Sequence, residues 1–243
     1  MGGTLLNVVT VILGSLLGMW VGNRLPERTQ QTIVTGLGLI TFYIGISNVA
    51  ATGNPVITAL SIAFGALIGE GLRLDLRLEQ FAAWLQRRVA GEGAADESRT
   101  RFITGFVTTS LLYCIGPLAF LGSILDGMGD PAGFQMLAVK STLDGFASLA
   151  FAASFGVGVL FSAVTVFAVQ GGLALVGMLA GNIMTEAMRN ETTAAGGVIL
   201  MGLSLALLDI KRPRIANFLP ALIIAPLIVA LAQWLGINLY PSF

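Results

Sequence analysis

The chain has 243 residues, of which 55% are hydrophobic and 11% are charged, and its 13 basic side chains balance its 13 acidic ones. A soluble domain carries about 25% charged residues, so this composition excludes an ordinary water-soluble fold. Histidine is absent and Cys114 is the one cysteine, which excludes an intrachain disulfide and removes the commonest metal ligand and general base. We therefore expect no enzyme, no metal centre and no nucleic-acid partner.

Eight apolar segments follow one another along the chain, and each is close to the roughly 20 residues that a membrane-spanning helix needs. They cover residues 3–23, 32–50, 55–70, 102–123, 142–162, 164–182, 194–210 and 217–237. The short links leave no room for a separate soluble domain. We therefore predict an all-α membrane protein of about eight transmembrane helices, with residues 1–243 forming a single transmembrane domain in the lipid bilayer.

The basic residues predict the orientation of this domain. If the first segment enters from outside, only Lys140 and Arg189 fall on the outer side. The cytoplasmic side then holds Arg24, Arg28, Arg73, Arg77, Arg87, Arg88, Arg99, Arg101, Lys211, Arg212 and Arg214. Cytoplasmic loops of membrane proteins carry such an excess of Lys and Arg, so both termini are expected outside.

The longest stretch between predicted spans, residues 71–101, is expected to be cytoplasmic. Leu74, Leu78, Phe81 and Leu85 share one helical face, while most of the basic residues of this stretch lie off it. This pattern predicts an amphipathic helix on the inner leaflet, followed by a linker over 91–98. The alternative is that the helix packs against other loops.

Glycines recur every four residues in the first and third segments. Gly14, Gly18 and Gly22 form one series, and Gly65 and Gly69 form a shorter one. Small residues at this spacing let helix backbones approach closely in lipid. The pattern predicts tight packing within one chain or between copies, so a homodimer or higher homo-oligomer remains open.

Weak internal matches suggest an inverted-topology repeat. Residues 105–108 (GFVT) match 145–148 (GFAS). Gly22 matches Gly181 at an offset of 159 residues, and Thr32 and Gly36 match Thr192 and Gly196 at an offset of 160. Spans 1, 2, 3 and 4 would then pair with spans 6, 7, 8 and 5 in opposite directions, as in many secondary transporters. Chance similarity of glycine-rich helices is the alternative.

Two central segments are expected to be broken. Segment four carries Gly116-Pro117, and proline removes a backbone donor and clashes with the preceding turn. Segment five carries Gly156 and Gly158, and its apolar stretch from 134 to 162 would be about 43 Å long as a straight helix. The hydrocarbon core is only about 30 Å thick. Broken helices in corresponding positions indicate a transport site, although two kinked structural helices would have the same sequence.

The candidate site lies between segments four and five. The other acidic residues lie in loops or at the ends of predicted spans, as Glu70 and Asp209 do, so Asp144 is the one carboxylate placed within a span, and Lys140 shares its helical face. An ionisable group at membrane depth is a functional hypothesis by default, and a structural Lys–Asp pair is the alternative. The further candidate residues for binding a small ion or solute, with a monovalent cation foremost, are Thr108, Ser110, Cys114, Gly116, Ser148, Asn7 and Asn48.

Several motifs together resemble a known family. They are GTLLN at residues 3–7, GFVT at 105–108, CIGP at 114–117, LGSILDG at 121–127, KSTLDGFAS at 140–148 and ANFLPA at 216–221. The chain resembles the YdfK/YqgA-type family of bacterial inner-membrane proteins over nearly its whole length. That resemblance implies a multi-pass protein of the bacterial inner (cytoplasmic) membrane and names no substrate.

Two functions follow as hypotheses. The first is a small secondary transporter or ion-conducting protein with its site between spans four and five. The alternative is a non-transporting membrane scaffold or stress-response protein. Water around Asp144 would favour the first, and a dry, tightly packed interior the second.

Overall fold

The computed structural model describes residues 1–22, 26–90, 96–114, 117–180 and 185–239, and its regular elements there are helices. They are α1 (Gly2–Gly22), α2 (Glu27–Val49), α3 (Pro55–Leu72), α4 (Leu74–Ala90), α5 (Asp96–Cys114), α6 (Pro117–Gly127), α7 (Pro131–Phe155), α8 (Val157–Ala180), α9 (Glu186–Leu207), a short 3-10 helix (Ile215–Phe218) and α10 (Ala221–Trp234). The all-α prediction is confirmed for these residues.

Six helices of the described chain are long and apolar enough to cross a membrane. They lie at Gly2–Gly22, Gln31–Val49, Pro55–Leu72, Pro131–Phe155, Val157–Leu179 and Ile215–Trp234. The pair α5 and α6 passes the same test together and would make a seventh span. The chain is therefore a membrane protein with six or seven candidate spans, and the predicted number of eight is not confirmed.

The limits of the fifth and sixth spans differ from the prediction. One helix, α7, runs from Pro131 to Phe155, and the next begins at Val157. Gly156 between them has φ 72° and ψ −144°, a backbone conformation essentially restricted to glycine. The apolar sequence continues without a polar gap from α7 into α8, so hydropathy placed the boundary near residue 163, whereas backbone geometry places it at Gly156.

The chain divides into two compact units. The first comprises Met1–Leu37 and Arg77–Gly181, and the second comprises Gly38–Leu76 and Asn182–Phe243. In the first unit α1 runs parallel to α7, and its glycines rest directly on the α7 backbone, because a Cβ atom at each would overlap an α7 carbonyl oxygen. The contacts are Gly14 with Gly145, Gly18 with Leu149, and Gly22 with Ala153. The glycine series therefore serves packing within one chain.

The other helices of the first unit complete a bundle around α7. Helix α8 returns antiparallel to α7 and α1. The turn that follows Phe155 lies near Gly22 of α1, which contacts Ala153. Ala163 and Val166 of α8 pack with Val11, about three turns back toward the start of α1. Helix α5 runs parallel to α8, with Gly158 against the Phe102 carbonyl and Ser110 bonded to Thr165.

Helices α5 and α6 meet at an angle of 76°. Helix α5 ends at Cys114 and α6 begins at Pro117, in agreement with the predicted interruption of segment four. Gly116 itself lies outside the described residues. Helix α6 then crosses both α7 and α8, with Gly122 against Leu137, Gly133 against the backbone at Asp126 and Gly127 against the Ala174 carbonyl.

The second unit packs α3 and α9 side by side with α10 antiparallel to both. Ile57, Met188 and Val229 form one apolar cluster, and Ala195, Ala221 and Ala225 form another. Gly65 lies against Ala221, and a Cβ atom at Gly69 would overlap the Asn217 carbonyl oxygen. The second glycine series therefore also packs within the chain.

Large apolar side chains cover the outer faces of the candidate spans. On α1 these are Leu5, Val9, Leu13, Leu16, Leu17 and Trp20, and on α10 they are Ile223, Leu227, Leu231 and Trp234. Soluble monomers rarely expose contiguous apolar patches of this kind. These faces suit contact with lipid chains.

Helix α4 has the predicted amphipathic pattern. Leu78 and Leu85 pack against the cluster of Ala82, Phe102 and Phe106. Trp84 is exposed and stacks on Phe81 at 5.8 Å between ring centroids. One face of this helix therefore packs on α5, while an aromatic edge stays free for the membrane interface that the sequence predicts.

Substitution of a packing glycine should destabilise the first unit. In Gly18→Ala the new Cβ atom would overlap the Leu149 carbonyl, and overpacking of this kind typically costs about 1–3 kcal/mol. Gly36→Ala is the matched control, since a Cβ atom there meets nothing within 4 Å and alanine favours a helix by roughly 0.5–1 kcal/mol. Unfolding in mixed detergent micelles should separate the two variants, and equal stabilities would contradict the packing described.

Candidate functional site

A buried ion pair lies near the middle of α7. Lys140 Nζ is 2.6 Å from Asp144 Oδ2, and the two residues are 7% and 6% exposed. Asp144 comes 13 residues after the start of α7 at Pro131, or about 20 Å along the helix axis. The predicted pairing of these two residues is present, at a depth far from either helix end.

A third helix contributes to this pair. Asn7 of α1 is fully buried, and its Nδ2 donates a hydrogen bond of 2.9 Å to Asp144 Oδ2. The close approach of α1 to α7 at the glycine contacts brings this amide within reach. The carboxylate thus receives one charged and one neutral donor, which offsets the several kcal/mol that a bare buried charge would cost.

Helix α5 adds an aromatic hydroxyl beside the pair. Tyr113 is fully buried and its hydroxyl lies 2.8 Å from Ser148 Oγ, one turn after Asp144 on α7. The ammonium of Lys140 lies 5.9 Å from the centre of the Tyr113 ring, within the distance at which a ring face attracts a cation. Tyr113 was not singled out from the sequence, where it is one of several polar residues in an apolar segment.

The structure brings together Asn7, Lys140, Asp144 and Ser148 among the predicted site residues. Ser110 is buried one turn before Tyr113 and bonds Thr165 at 3.1 Å. Thr108 is buried on α5, and Cys114 is half-buried at its end. These three predicted residues therefore belong to the same unit, on the helix that carries Tyr113.

Two predicted site residues are not placed with this group. Gly116 lies outside the described residues. Asn48 belongs to the second unit, where it is half-buried on α2 with its Cβ atom facing Gly197 of α9. The part of α2 that carries Asn48 is a packing surface for α9.

A second buried carboxylate was missed by the sequence analysis. Glu191 is fully buried in α9, which begins at Glu186, whereas the apolar pattern had placed residues before 194 in a loop. The Glu191 carboxylate oxygens accept hydrogen bonds from the turn that precedes α3 and from the first turn of α3. The donors are Thr52 Oγ1 at 2.7 Å, Gly53 N at 2.9 Å, Asn54 N at 3.2 Å and Thr58 Oγ1 at 3.3 Å.

A third buried carboxylate, Asp126, lies beyond the fourth predicted span (102–123), in the last turn of α6. Its Oδ2 accepts a 3.1 Å hydrogen bond from Gly3 N and lies 3.1 Å from the amino group of Met1. A carboxylate at a helix N-terminus is favoured by the helix dipole, so Asp126 caps α1.

Polar contacts in the second unit also join the end of α3 to the 3-10 helix. Glu70 pairs with Arg214 and accepts a 2.8 Å hydrogen bond from Asn217 Nδ2. Asn217 Oδ1 in turn accepts a 2.8 Å bond from Asp75 N. Asp209 and Arg212 form a further, exposed ion pair at 3.1 Å. These are helix-end contacts without a buried charge at mid-helix.

These features define a class: a polytopic, all-helical membrane protein with an ion pair buried among its apolar helices. The chain belongs to the DUF554 family, proteins of unknown function, whose family pattern matches residues 2–230. The resemblance inferred from the motifs is thereby confirmed.

Two curated relatives are similar over nearly their whole lengths. The uncharacterized protein YqgA of Escherichia coli (strain K12) is 33% identical over 236 residues, which are 96% of this chain and 98% of that protein. The uncharacterized membrane protein YdfK of Bacillus subtilis (strain 168) is 27% identical over 243 residues, which are 98% and 100% of the two chains. No solved structure matches the chain.

Proposed function

We propose that this protein is a small secondary transporter or ion-conducting protein of the bacterial inner membrane, with its site around Asp144 between α1, α5 and α7. The observation that carries the proposal is the Lys140–Asp144 pair at the middle of an apolar helix. Ionisable groups inside a membrane are rare and typically mark ion or substrate pathways. The pair has no net charge. Protonation of Asp144 or loss of the Lys140 proton would leave a net charge at the site, and this change in charge would couple ion binding to a movement of the helices.

The proposed arrangement has eight passes. It adds α9, the seventh pass in chain order, to the seven candidate spans. Helix α9 has 22 residues and packs in parallel with α3 and antiparallel to α10, both of which are candidate spans. Its polar first turns, which include Arg189 and the buried Glu191, lower its overall hydropathy. The inverted repeat of spans 1–4 with spans 6, 7, 8 and 5 remains part of the proposal.

Reporter fusions should test this topology. With eight passes, a reporter inserted at Gly93 should lie in the cytoplasm, and one fused after Phe243 should lie outside, because five passes separate the two positions. The bias of basic residues toward one side motivates this orientation. Paired fusions of an enzyme active only in the cytoplasm and one active only outside should give opposite results at the two sites. If both positions report one side, the eight-pass arrangement is wrong.

A flux assay tests the function itself. Purified protein in proteoliposomes should carry at least one of Na⁺, K⁺, H⁺ or a small anion above the rate of protein-free vesicles, and Asp144→Asn should abolish that flux. Asp209→Asn is the matched control, since it removes an aspartate from an exposed ion pair. Wild-type flux in a well-folded Asp144→Asn variant would contradict the proposed role. Absence of all flux in the wild type would favour the scaffold alternative.

A further inference from the structure

Helix α4 has one exposed face on which arginine and aromatic side chains alternate. Positions 77, 81, 84 and 88 follow the i, i+4, i+7, i+11 spacing of a single helical face, and the exposed side chains there are Arg77, Phe81, Trp84 and Arg88. The Phe81 and Trp84 rings stack at 5.8 Å between centroids, and the Arg88 guanidinium lies 5.4 Å from the centre of the Trp84 ring. These four residues form one continuous surface, called here the basic-aromatic face.

The opposite face of α4 fixes its level in the first unit. Ala82 is buried in a cluster with Phe102 and Phe106 of α5, and the Phe81 ring lies 6.0 Å from that of Phe106. Phe102 is the first residue of the apolar segment predicted at 102–123, and the residues at 97–101 that precede it are exposed. The basic-aromatic face therefore lies where the charged start of α5 gives way to its apolar part.

Other helices of the first unit end at the same level. Arg101 Nε donates a 2.7 Å hydrogen bond to Ser154 O in the last turn of α7, and Ala153 beside it contacts Gly22 at the end of α1. Trp20 is exposed in the last turns of α1, so it lies at this end of the bundle as Trp84 does. Tryptophan concentrates at the interface between membrane and water, and both side chains are consistent with an interface at this level.

The charges at this end of the bundle favour an anionic ligand. In the described stretches 77–88 and 97–101 the exposed acidic residues are Glu79 and Glu97, whereas the exposed basic ones are Arg77, Arg87, Arg88, Arg99 and Arg101. Guanidinium groups bind phosphate oxygens through paired hydrogen bonds, and basic residues on an amphipathic helix are attracted to anionic lipids. An acidic protein would also match the arginines, but the surface that adjoins the start of a candidate spanning segment is the bilayer.

We propose that the basic-aromatic face of α4 binds anionic phospholipids in the leaflet at this end of the bundle. Arg77 and Arg88 contact the lipid phosphates, and Phe81 and Trp84 lie between the headgroups and the acyl chains. The two arginines are 11 residues apart, which is about 16 Å along the helix, so they contact different lipid molecules. The bias of basic residues predicts that this leaflet is the cytoplasmic one.

The test is the environment of Trp84 in the full-length protein in lipid nanodiscs. A Trp20→Phe/Trp234→Phe variant keeps Trp84 as its one tryptophan. Discs of phosphatidylcholine alone are compared with discs in which phosphatidylglycerol replaces part of it. We expect phosphatidylglycerol to shift the Trp84 emission to shorter wavelength and to increase its quenching by brominated acyl chains. Raised salt should reduce both effects, because it screens exposed charges.

Arginine variants in the same background test the phosphate contacts. Arg77→Gln/Arg88→Gln should weaken the apparent affinity for phosphatidylglycerol, measured by varying its fraction in the discs, by about tenfold or more. Lys211→Gln/Arg212→Gln is the matched control, since it removes two exposed basic residues from the second unit. This control should keep the response of Trp84.

Each outcome decides the proposal. A Trp84 signal that is the same in both kinds of disc would overturn it, whether the ring is quenched in both or exposed to water in both. A full phosphatidylglycerol response in Arg77→Gln/Arg88→Gln would overturn it as well. If the tryptophan variant fails to fold, amide hydrogen exchange at residues 77–88 of the wild-type protein decides, and it should be slower in the discs that contain phosphatidylglycerol.

Discussion

Lys140→Met should lower the free energy of unfolding by about 3–5 kcal/mol, the range measured when one partner of a buried ion pair is removed. The substitution removes the ammonium that pairs with Asp144 and leaves this carboxylate among apolar helices with the Asn7 amide as a donor. Chemical unfolding in mixed micelles measures the loss. Lys211→Met is the control, because Lys211 is exposed outside the helices and its loss should stay within about 0.5 kcal/mol.

The double variant Lys140→Met/Asp144→Asn should recover most of that stability. It removes both charges and keeps a side-chain oxygen to accept the Asn7 hydrogen bond. Replacing a complete buried ion pair by well-packed apolar side chains of similar volume is often neutral or stabilising, and Asp144→Asn keeps the volume of the original side chain while removing its charge. A double variant that is less stable than both single variants would show that the pair contributes in some other way.

Glu191→Ala should lower the free energy of unfolding by about 3 kcal/mol or more. It would remove the acceptor of two hydroxyls and of the backbone amides of Gly53 and Asn54, and hydrogen bonds to charged groups contribute about 1.5–3 kcal/mol each. The turn before α3 would lose its attachment to α9. Amide hydrogen exchange at residues 52–58 should rise together with the loss of stability.

Two control variants narrow the interpretation of Glu191. Glu191→Gln keeps one acceptor oxygen and should lose less stability than Glu191→Ala. Glu186→Ala removes an exposed glutamate in the first turn of the same helix, where the favourable dipole interaction is about 0.3–1 kcal/mol. If Glu191→Ala and Glu186→Ala are equally stable, the buried carboxylate does not anchor the turn.

Much of the fold could be predicted because its determinants are local in sequence. Apolar length predicted spanning helices, the i, i+4 spacing predicted the Lys140–Asp144 pair, and the glycine series predicted close helix contacts. The Gly116-Pro117 dipeptide predicted the interruption between α5 and α6. Each of these signals acts within one helical turn or along one helix.

The rest depends on long-range contacts or on backbone geometry that hydropathy does not record. Glu191 lies more than 130 residues from its donors, so no local pattern identifies it as buried, and its polar surroundings resemble a loop. The turn at Gly156 interrupts a continuous apolar stretch, and only its positive φ marks the boundary.

Flux through the Lys140→Met/Asp144→Asn variant tests the central claim most directly. This variant carries neither charge of the pair and is expected to recover most of the stability that Lys140→Met loses. The assay uses the ion that the wild-type screen identifies, in matched proteoliposomes. If the pair carries transport, flux should fall to the level of protein-free vesicles while the unfolding curve stays closer to that of the wild type than to that of Lys140→Met. Wild-type flux in this folded variant would show that the pair is structural and would contradict the proposed function.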